Sequence, residues 1–191
     1  HCENVSLNRI RIMTKPGTQR LMSTTADATH FKSCKGLIEL KDCVLEGMGD
    51  DAVNIGQLYL TTLTRIDDRT ITAAHNLKIL NRPDPGERIE WVRRDTLLPY
   101  ASSVVKSATE ADKDGIHQIE FESPLPADMK ISDVLANMSR LPKVRIANCR
   151  VGNNRARGFL LQTHDAIVEN CTFSNCTSGG VWANNEVVFF Y

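Results

Sequence analysis

The chain repeats itself at an interval that restricts its fold. Three segments of 14 residues align without gaps: residues 42–55, 148–161 and 170–183. Each reads as a short strand containing Cys-x-apolar, a polar turn and a second short apolar strand. The last two copies lie 22 residues apart, and a weaker copy around Asp27 lies 24 residues before the matching Asp51. This period, without a leucine-rich signature, predicts an all-β chain built from coils of a right-handed parallel β-helix.

Stacked coils bring equivalent positions into vertical ladders about 4.8 Å apart. One such ladder consists of cysteines and predicts packed free thiols in the core, in preference to disulfides. A second consists of Asp and Asn, which tolerate left-handed backbone geometry and therefore predict a ladder of turns. The two sets are Cys43, Cys149 and Cys171, and Asp42, Asn148 and Asn170.

A long insertion separates the first strong copy from the second. The copies are 106 residues apart, which is 84 more than one coil of 22. The excess contains a hairpin pattern around residues 67–69, alternating polar and apolar residues at 88–92 and 117–121, and turns rich in Pro. We therefore predict a small inserted antiparallel β-barrel. The predicted domains are β-helix coils over 1–56, the barrel over 57–140 and further coils over 141–191.

Composition excludes several classes of protein. The 23 basic and 23 acidic residues cancel, so there is no electrostatic reason to expect nucleic acid or an anionic membrane as a partner. No apolar run approaches the roughly 18–20 residues of a membrane span. The cysteines and histidines show no metal-ligand spacing, and no metal site is expected.

The insertion follows the one dense acidic turn of the repeats, Gly49-Asp50-Asp51. In the alignment Asp27 lies one coil before Asp51, and Arg157 lies one coil after it. Two carboxylates about 5 Å apart repel each other by roughly 3 kcal/mol at an effective dielectric constant near 20. Such crowding raises at least one pKa and yields a carboxylic acid beside carboxylates, which glycoside hydrolysis requires. A merely solvated acidic turn is the alternative.

Two families resemble this arrangement of motifs. Thr25-Ala-Asp27-Ala followed by Gly49-Asp50-Asp51-Ala-Val-Asn54 resembles the three-aspartate pattern of polygalacturonase-type glycoside hydrolases, family 28. The closer resemblance is to glycoside hydrolase family 110, α-1,3-galactosidases that remove terminal galactose from blood-group-B-like glycans. It is carried by Asp-Ala-Thr-His (27–30), Gly-Asp-Asp-Ala-x-Asn (49–54), the barrel inserted directly afterwards, Asn-x-Ser-x-x-Pro (137–142), Arg-x-Arg-Gly (155–158) and Leu-Leu-Gln-Thr (160–163).

The resemblance implies an inverting hydrolysis that uses neither metal nor cofactor. The substrate would be a carbohydrate with a terminal α-linked galactose. Asp27, Asp50 and Asp51 would be the catalytic carboxylates. By analogy with polygalacturonases, Asp50 would be the general acid, while Asp27 and Asp51 would hold and deprotonate the water.

Four further residues are candidate substrate ligands: His30, Asn54, Arg157 and Arg155. His30 should stack on Asn54 and could bind sugar hydroxyls, or it could be a satisfied turn residue. Arg157 could bind the sugar, or it could form an ion pair that offsets the acidic repulsion. Trp182 and Trp91 could stack on the face of a pyranose, but both lie in strand patterns and are expected to pack.

The resemblance also implies a bacterial enzyme that is secreted, periplasmic or on the cell surface. Family members are much longer, so the chain is expected to be the middle part of such an enzyme. Open β-helix ends expose strand edges, and the apolar segment Val187–Tyr191 resembles such an end. We therefore expect these ends to need capping by missing segments, by a partner or by self-association through the ends of the β-helix.

Three other functions fit the same acidic cluster. A polysaccharide lyase would use the carboxylates to hold calcium and an arginine such as Arg157 as a base on a uronic acid, and a polygalacturonase would also act on pectic substrate. The absence of excess positive charge argues against both. A non-catalytic glycan-binding β-helix is the remaining alternative.

Overall fold

The computed structural model describes residues 2–75 and 82–184, and the regular secondary-structure elements among these residues are β-strands. One short 3₁₀ helix, Met138–Arg140, is the exception among them. The strands are β1 Glu3–Asn8, β2 Arg11–Ile12, β3 Thr29–Lys32, β4 Lys35–Lys41, β5 Val44–Glu46, β6 Val53–Gly56, β7 Leu60–Arg65, β8 Thr70–Ala74, β9 Arg88–Val92, β10 Pro99–Ala108, β11 Ile116–Phe121, β12 Val134–Asn137, β13 Lys143–Ala147, β14 Arg150–Gly152, β15 Phe159–Leu161, β16 Ala166–Glu169, β17 Thr172–Ser174 and β18 Val181–Ala183.

Twelve of these strands form three parallel sheets of four strands each. The sheet orders are β1-β4-β13-β16, β2-β5-β14-β17 and β3-β6-β15-β18. Each successive repeat supplies one strand to each sheet, which is the arrangement of a parallel β-helix with four coils. The handedness of the coils stays a prediction.

The register of the sheets matches the repeat alignment. Val44 pairs with Arg150 and Arg150 with Thr172, at the predicted offsets of 106 and 22 residues. Val53 pairs with Phe159 at the same offset of 106. Thr29 pairs with Val53, which confirms the weaker copy at an offset of 24. The insertion therefore leaves the register of the coils unchanged.

Apolar side chains and thiols fill the interior of the coils. Cys43 and Cys149 are buried, Cys171 is half-buried, and all three are free thiols, as the ladder predicts. Burial raises the pKa of the Cys149 thiol to about 12. The thiols therefore act as small apolar core groups beside residues such as Ile55 and Phe159.

The predicted ladder of turns is present. Asp42, Asn148 and Asn170 have φ angles of 56°, 55° and 53°, in the left-handed region. The Asn148 Nδ2 atom donates a hydrogen bond of 3.0 Å to Asp42 Oδ1 in the neighbouring coil. Asn is tolerated in this conformation and can also bond to the turn above or below.

The inserted strands close into a six-stranded barrel in the order β10-β11-β8-β7-β12-β9. All of its strand pairs are antiparallel, including the hairpin of β7 and β8. Trp91 is completely buried in its core, 5.1 Å from the Phe121 ring, and its Nε1 donates to Ser103 Oγ. Trp91 therefore packs, as expected.

The described residues fall into two compact units, 2–56 with 141–184 and 57–75 with 82–140. The division into β-helix coils over 1–56 and 141–191 around a barrel domain over 57–140 stays a prediction. Val187–Tyr191, the predicted exposed end, lies outside the described residues. No helix in the described part of the chain is long and apolar enough to cross a membrane.

Candidate active site

Turns of three successive coils bring the acidic cluster together. Asp27, Asp51 and Arg157 each lie two residues before a strand, β3, β6 and β15 respectively, so these three enter the same sheet at equivalent positions. Asp50 adjoins Asp51 in the turn before β6. One carboxylate oxygen from each aspartate lies within 4.8 Å of the others. The three predicted carboxylates thus share one site in the first unit.

Asp51 is fully buried and is held by Arg157. The backbone N and the Nε of Arg157 donate to Asp51 Oδ1 at 2.9 and 2.8 Å, and Nη2 donates to Oδ2 at 2.8 Å. A two-pronged guanidinium contact of this kind binds a carboxylate as the anion. Of the two roles considered for Arg157, the structure shows the ion pair.

Several hydrogen-bond donors contact the Asp27 carboxylate. The backbone N of Asp51 donates to its Oδ1 at 3.0 Å, and Asn54 Nδ2 donates to its Oδ2 at 3.2 Å. His30 Nδ1 lies 3.1 Å from the same Oδ2. The side chain is only 8 % exposed. Burial raises the pKa of Asp27 to about 6, and the charges of Asp51 and Asp50 act in the same direction, against the lowering effect of the donors.

Asp50 is less deeply buried than Asp27. Burial, followed by the charge of Asp51, raises its pKa, while the guanidinium groups of Arg157 and Arg155 lower it. Asn154 fixes the turn, because its Nδ2 donates to the carbonyl of Asp50 and to that of Arg157. Sequence reasoning did not identify Asn154, whose only signal is its place in the turn before β15.

A lysine that sequence reasoning missed adjoins the cluster. Lys32 Nζ donates to Asn54 Oδ1 at 2.9 Å and to Gln162 Oε1 at 3.2 Å. The available signal was its position two residues after His30 on one strand, which places both side chains on the same face. The site therefore contains a lysine as well as carboxylates.

The predicted substrate ligands differ in what surrounds them. His30 pairs in register with Asn54, as expected, and its side chain is 36 % exposed. Burial and the charge of Lys32 lower the pKa of His30, which favours the neutral ring at pH 7. Arg155 is exposed, and a role for it in binding stays a prediction.

The expectation for Trp182 was wrong. Trp182 is 44 % exposed and is not a core residue. The Arg157 Cζ atom lies 5.7 Å from the centroid of its ring. Residue 182 is in register with Leu160, and Leu160 with Asn54, so Trp182 occupies the outward-facing row of the sheet rather than the row that fills the core.

The charges of the cluster favour acid–base chemistry over cation binding. The spacing of the three aspartates alone would suit a cation. However, both oxygens of Asp51 already accept hydrogen bonds from Arg157, which supplies the positive counter-charge. When carboxylates lie in unequal environments, their pKa values differ, so one group can keep a proton while another releases it.

Comparison with known proteins identifies relatives of the chain. A family model described as GLAA-B beta-barrel domain II matches residues 82–135. An alpha-1,3-galactosidase A of Akkermansia muciniphila is 31% identical over 194 residues, covering 100% of this chain and 32% of the relative. The protein of that name from Shewanella woodyi is 36% identical over 177 residues (90% and 29%), and an alpha-1,3-galactosidase B of Phocaeicola vulgatus is 34% identical over 196 residues (93% and 31%). The chain thus spans about a third of the length of these relatives.

Proposed function

We propose that this chain, which belongs to glycoside hydrolase family 110, carries the catalytic carboxylates of an inverting exo-α-1,3-galactosidase acting on terminal galactose of blood-group-B-like glycans. The observation that carries the proposal is the cluster of Asp27, Asp50 and Asp51 within 4.8 Å, each in a different environment. The relatives that match nearly the whole of this chain are named alpha-1,3-galactosidase. The activity proposed is that of the longer protein to which the segment corresponds.

Asp50 is the proposed general acid. It is the least enclosed of the three carboxyl groups, so it can reach the oxygen of the leaving group. Burial and the charge of Asp51 raise the pKa of Asp50, which favours its protonated form compared with a free aspartate. Protonation of the glycosidic oxygen by such a group contributes about 10²–10⁴ to the rate.

Asp27 and Asp51 are the proposed pair that holds and deprotonates water. Asp51 is fixed as an anion by Arg157, and Asp27 is oriented by Asn54 and the backbone of Asp51. With a pKa of about 6, Asp27 is ionised at neutral pH yet basic enough to accept a proton from water. His30, on the exposed side of Asp27, is the proposed ligand of a sugar hydroxyl.

Inversion rests on the family resemblance and not on the spacing of the carboxylates. Inverting glycosidases in general separate their two carboxyl groups by roughly 6.5–9.5 Å to admit water. Here the nearest oxygens lie within 4.8 Å. The configuration of the released sugar therefore provides the test.

The first experiment is hydrolysis of an α-1,3-linked galactose disaccharide by the full-length parent protein, followed by proton NMR from the first minutes. We expect β-galactose to appear first and to mutarotate later. Early α-galactose would refute inversion. Release of a 4,5-unsaturated uronide from a pectic substrate, with loss of activity in a chelator, would replace the proposal with a lyase.

The second experiment separates the roles of the aspartates. Asp50→Asn should lower kcat on the disaccharide by at least about a hundredfold, but much less on a nitrophenyl galactoside, whose leaving group needs little protonation. Asp27→Asn should lower both rates equally. Asp42→Asn is a matched control, because Asn occupies the equivalent turns at Asn148 and Asn170. Wild-type rates in both site variants would refute a catalytic cluster and favour a glycan-binding β-helix.

Two further features belong to the proposal. We propose right-handed coils, because strand connections within a parallel sheet are right-handed in about 98 % of cases. We also propose that the bacterial parent is secreted, periplasmic or on the cell surface, because a glycan chain is too large and polar to cross a membrane unaided.

A further inference from the structure

Lys32 connects three successive coils beside the acidic cluster. It ends β3, and its Nζ donates to Asn54 Oδ1 in the next coil and to Gln162 Oε1 in the coil after that. The side chain crosses Gly56, which is its register partner on β6. A Cβ on Gly56 would lie 2.2 Å from Gln162 Oε1 and 3.0 Å from Lys32 Nζ. Only glycine leaves room for this bridge.

The ammonium group decides which way the Asn54 amide points. Lysine only donates hydrogen bonds, whereas the amide has one accepting and one donating end. With Oδ1 toward Lys32, Nδ2 donates to Asp27 Oδ2 at 3.2 Å. The reversed amide would place NH₂ against an ammonium group and oxygen against a carboxylate. Lys32 therefore makes one orientation of Asn54 strongly preferred.

We infer that Lys32 is a positioning residue: through the Asn54 amide it fixes Asp27 in the orientation and charge state that the proposed reaction needs. This inference rests on the proposed function, in which Asp27 accepts a proton from water. Lys32 does not itself contact the substrate in this role. It stabilises the ionised form of Asp27, because it keeps Asn54 Nδ2 in the orientation that donates to Asp27 Oδ2.

The groups that face Asp27 define what a change at Lys32 should do. They are His30 from the same coil, and Asp50, Asp51 and Asn54 from the next coil. If Asn54 is free to rotate, the Asp27 anion loses a donor and becomes harder to form. The acidic limb of the pH–rate profile should then move to higher pH, while the rate at high pH should change little.

The test measures kcat/KM against pH in the full-length parent for Lys32→Met and Lys32→Gln. Met removes both charge and donor, whereas the Gln amide retains a neutral donor for Asn54 Oδ1. We expect Lys32→Met to lose about tenfold near pH 5 and less than threefold near pH 8, since one tenfold step corresponds to a single bond to a charged group. Lys32→Gln should regain most of the loss. Lys41→Met, in a different sheet, controls for removal of a lysine charge and should match wild type.

Three results would overturn the inference. A uniform loss at all pH values in Lys32→Met would show a structural role only. Equal shifts in Lys32→Met and Lys32→Gln would assign the effect to charge and not to the amide. Full activity in Asp27→Asn would refute the proposed function itself, whatever Lys32 does. Thermal unfolding of each variant identifies a fold defect.

Discussion

Replacing Arg157 with Gln should destabilise the first unit strongly, because it leaves a buried charge without its partner. The Asp51 side chain is 0 % exposed, and the Arg157 side chain is 17 % exposed. Gln removes the donors Nε and Nη2 and leaves only the backbone N of residue 157 on the Asp51 carboxylate. Little water reaches Asp51 to compensate for the loss.

Two estimates of the cost agree. Removing one member of a buried ion pair costs about 3–5 kcal/mol. Two hydrogen bonds to a charged group, at about 1.5–3 kcal/mol each, give roughly 3–6 kcal/mol.

Differential scanning calorimetry and urea unfolding of the parent protein, with and without Arg157→Gln, measure this cost. The decisive comparison adds Asp51→Asn to the same variant, which removes the uncompensated charge. We expect the double variant to recover most of the lost stability, giving a strong coupling in the double-mutant cycle. An Arg157→Gln variant within about 0.5 kcal/mol of wild type, or a double variant that shows additive losses, would refute the assignment of Arg157 as the counter-charge.

Three other predictions concern the titration of Asp27, a left-handed turn and a close contact between coils. Because the proposed base Asp27 has a pKa raised from 3.8 to about 6, kcat/KM should fall as the pH drops below 6. The folded state also binds this proton more tightly than the unfolded chain, so the contribution of Asp27 to the free energy of unfolding should rise as the pH falls from 6 to 4. Both trends should vanish in Asp27→Asn. Asn148→Ala should cost about 1 kcal/mol and Asn148→Gly almost nothing in urea unfolding, because φ is 55° there, and equal costs would contradict the turn ladder. Gly158→Ala should cost about 3 kcal/mol or more, since its Cβ would lie 2.3 Å from the Gly180 carbonyl oxygen and 2.5 Å from the Phe173 ring, and a wild-type melting curve would contradict that packing.

The repeat made the acidic column predictable, because parallel strands in register need equal spacing from coil to coil. The offsets of 24 and 106 residues are sufficient to place Asp27 and Arg157 on either side of Asp51. The same offsets identify the left-handed turns at Asp42 and Asn148. Local alternation was likewise sufficient to find β9 and β11, and the hairpin pattern to find β7 and β8, but β10 and β12 were not identified from the sequence.

Contacts made by long side chains across a glycine were not predictable from the repeat. Lys32 carries no repeat signature, and its partner Gln162 lies beyond the long insertion. The bridge between them depends on the missing side chain of Gly56. The order of strands in the barrel was also hidden, since alternation identifies strands but not their distant partners.

The exposed position of Trp182 shows a different kind of error. Its neighbours Val181 and Ala183 made the segment look like a core strand, and large apolar residues in strands usually pack. The alternation of side chains in fact places residue 182 in the row of Asn54, opposite the row of Val53 and Phe159 that fills the core. Extending the known repeat by one coil would have predicted this.

The structure explains how a repeat scaffold can hold carboxylates that repel one another. Because the coils are in register, the Asp27 carboxylate lies within hydrogen-bonding distance of the backbone N of Asp51. The second and third coils each contribute one group that compensates the acidic charge. Asn54 supplies a donor from the second coil, and Arg157 supplies a cation from the third. A slip of one residue in any coil would reverse which face each side chain occupies and would separate these partners. The acidic cluster therefore depends on the register of three coils, and the core and turn ladders that fix this register are what keep the site assembled.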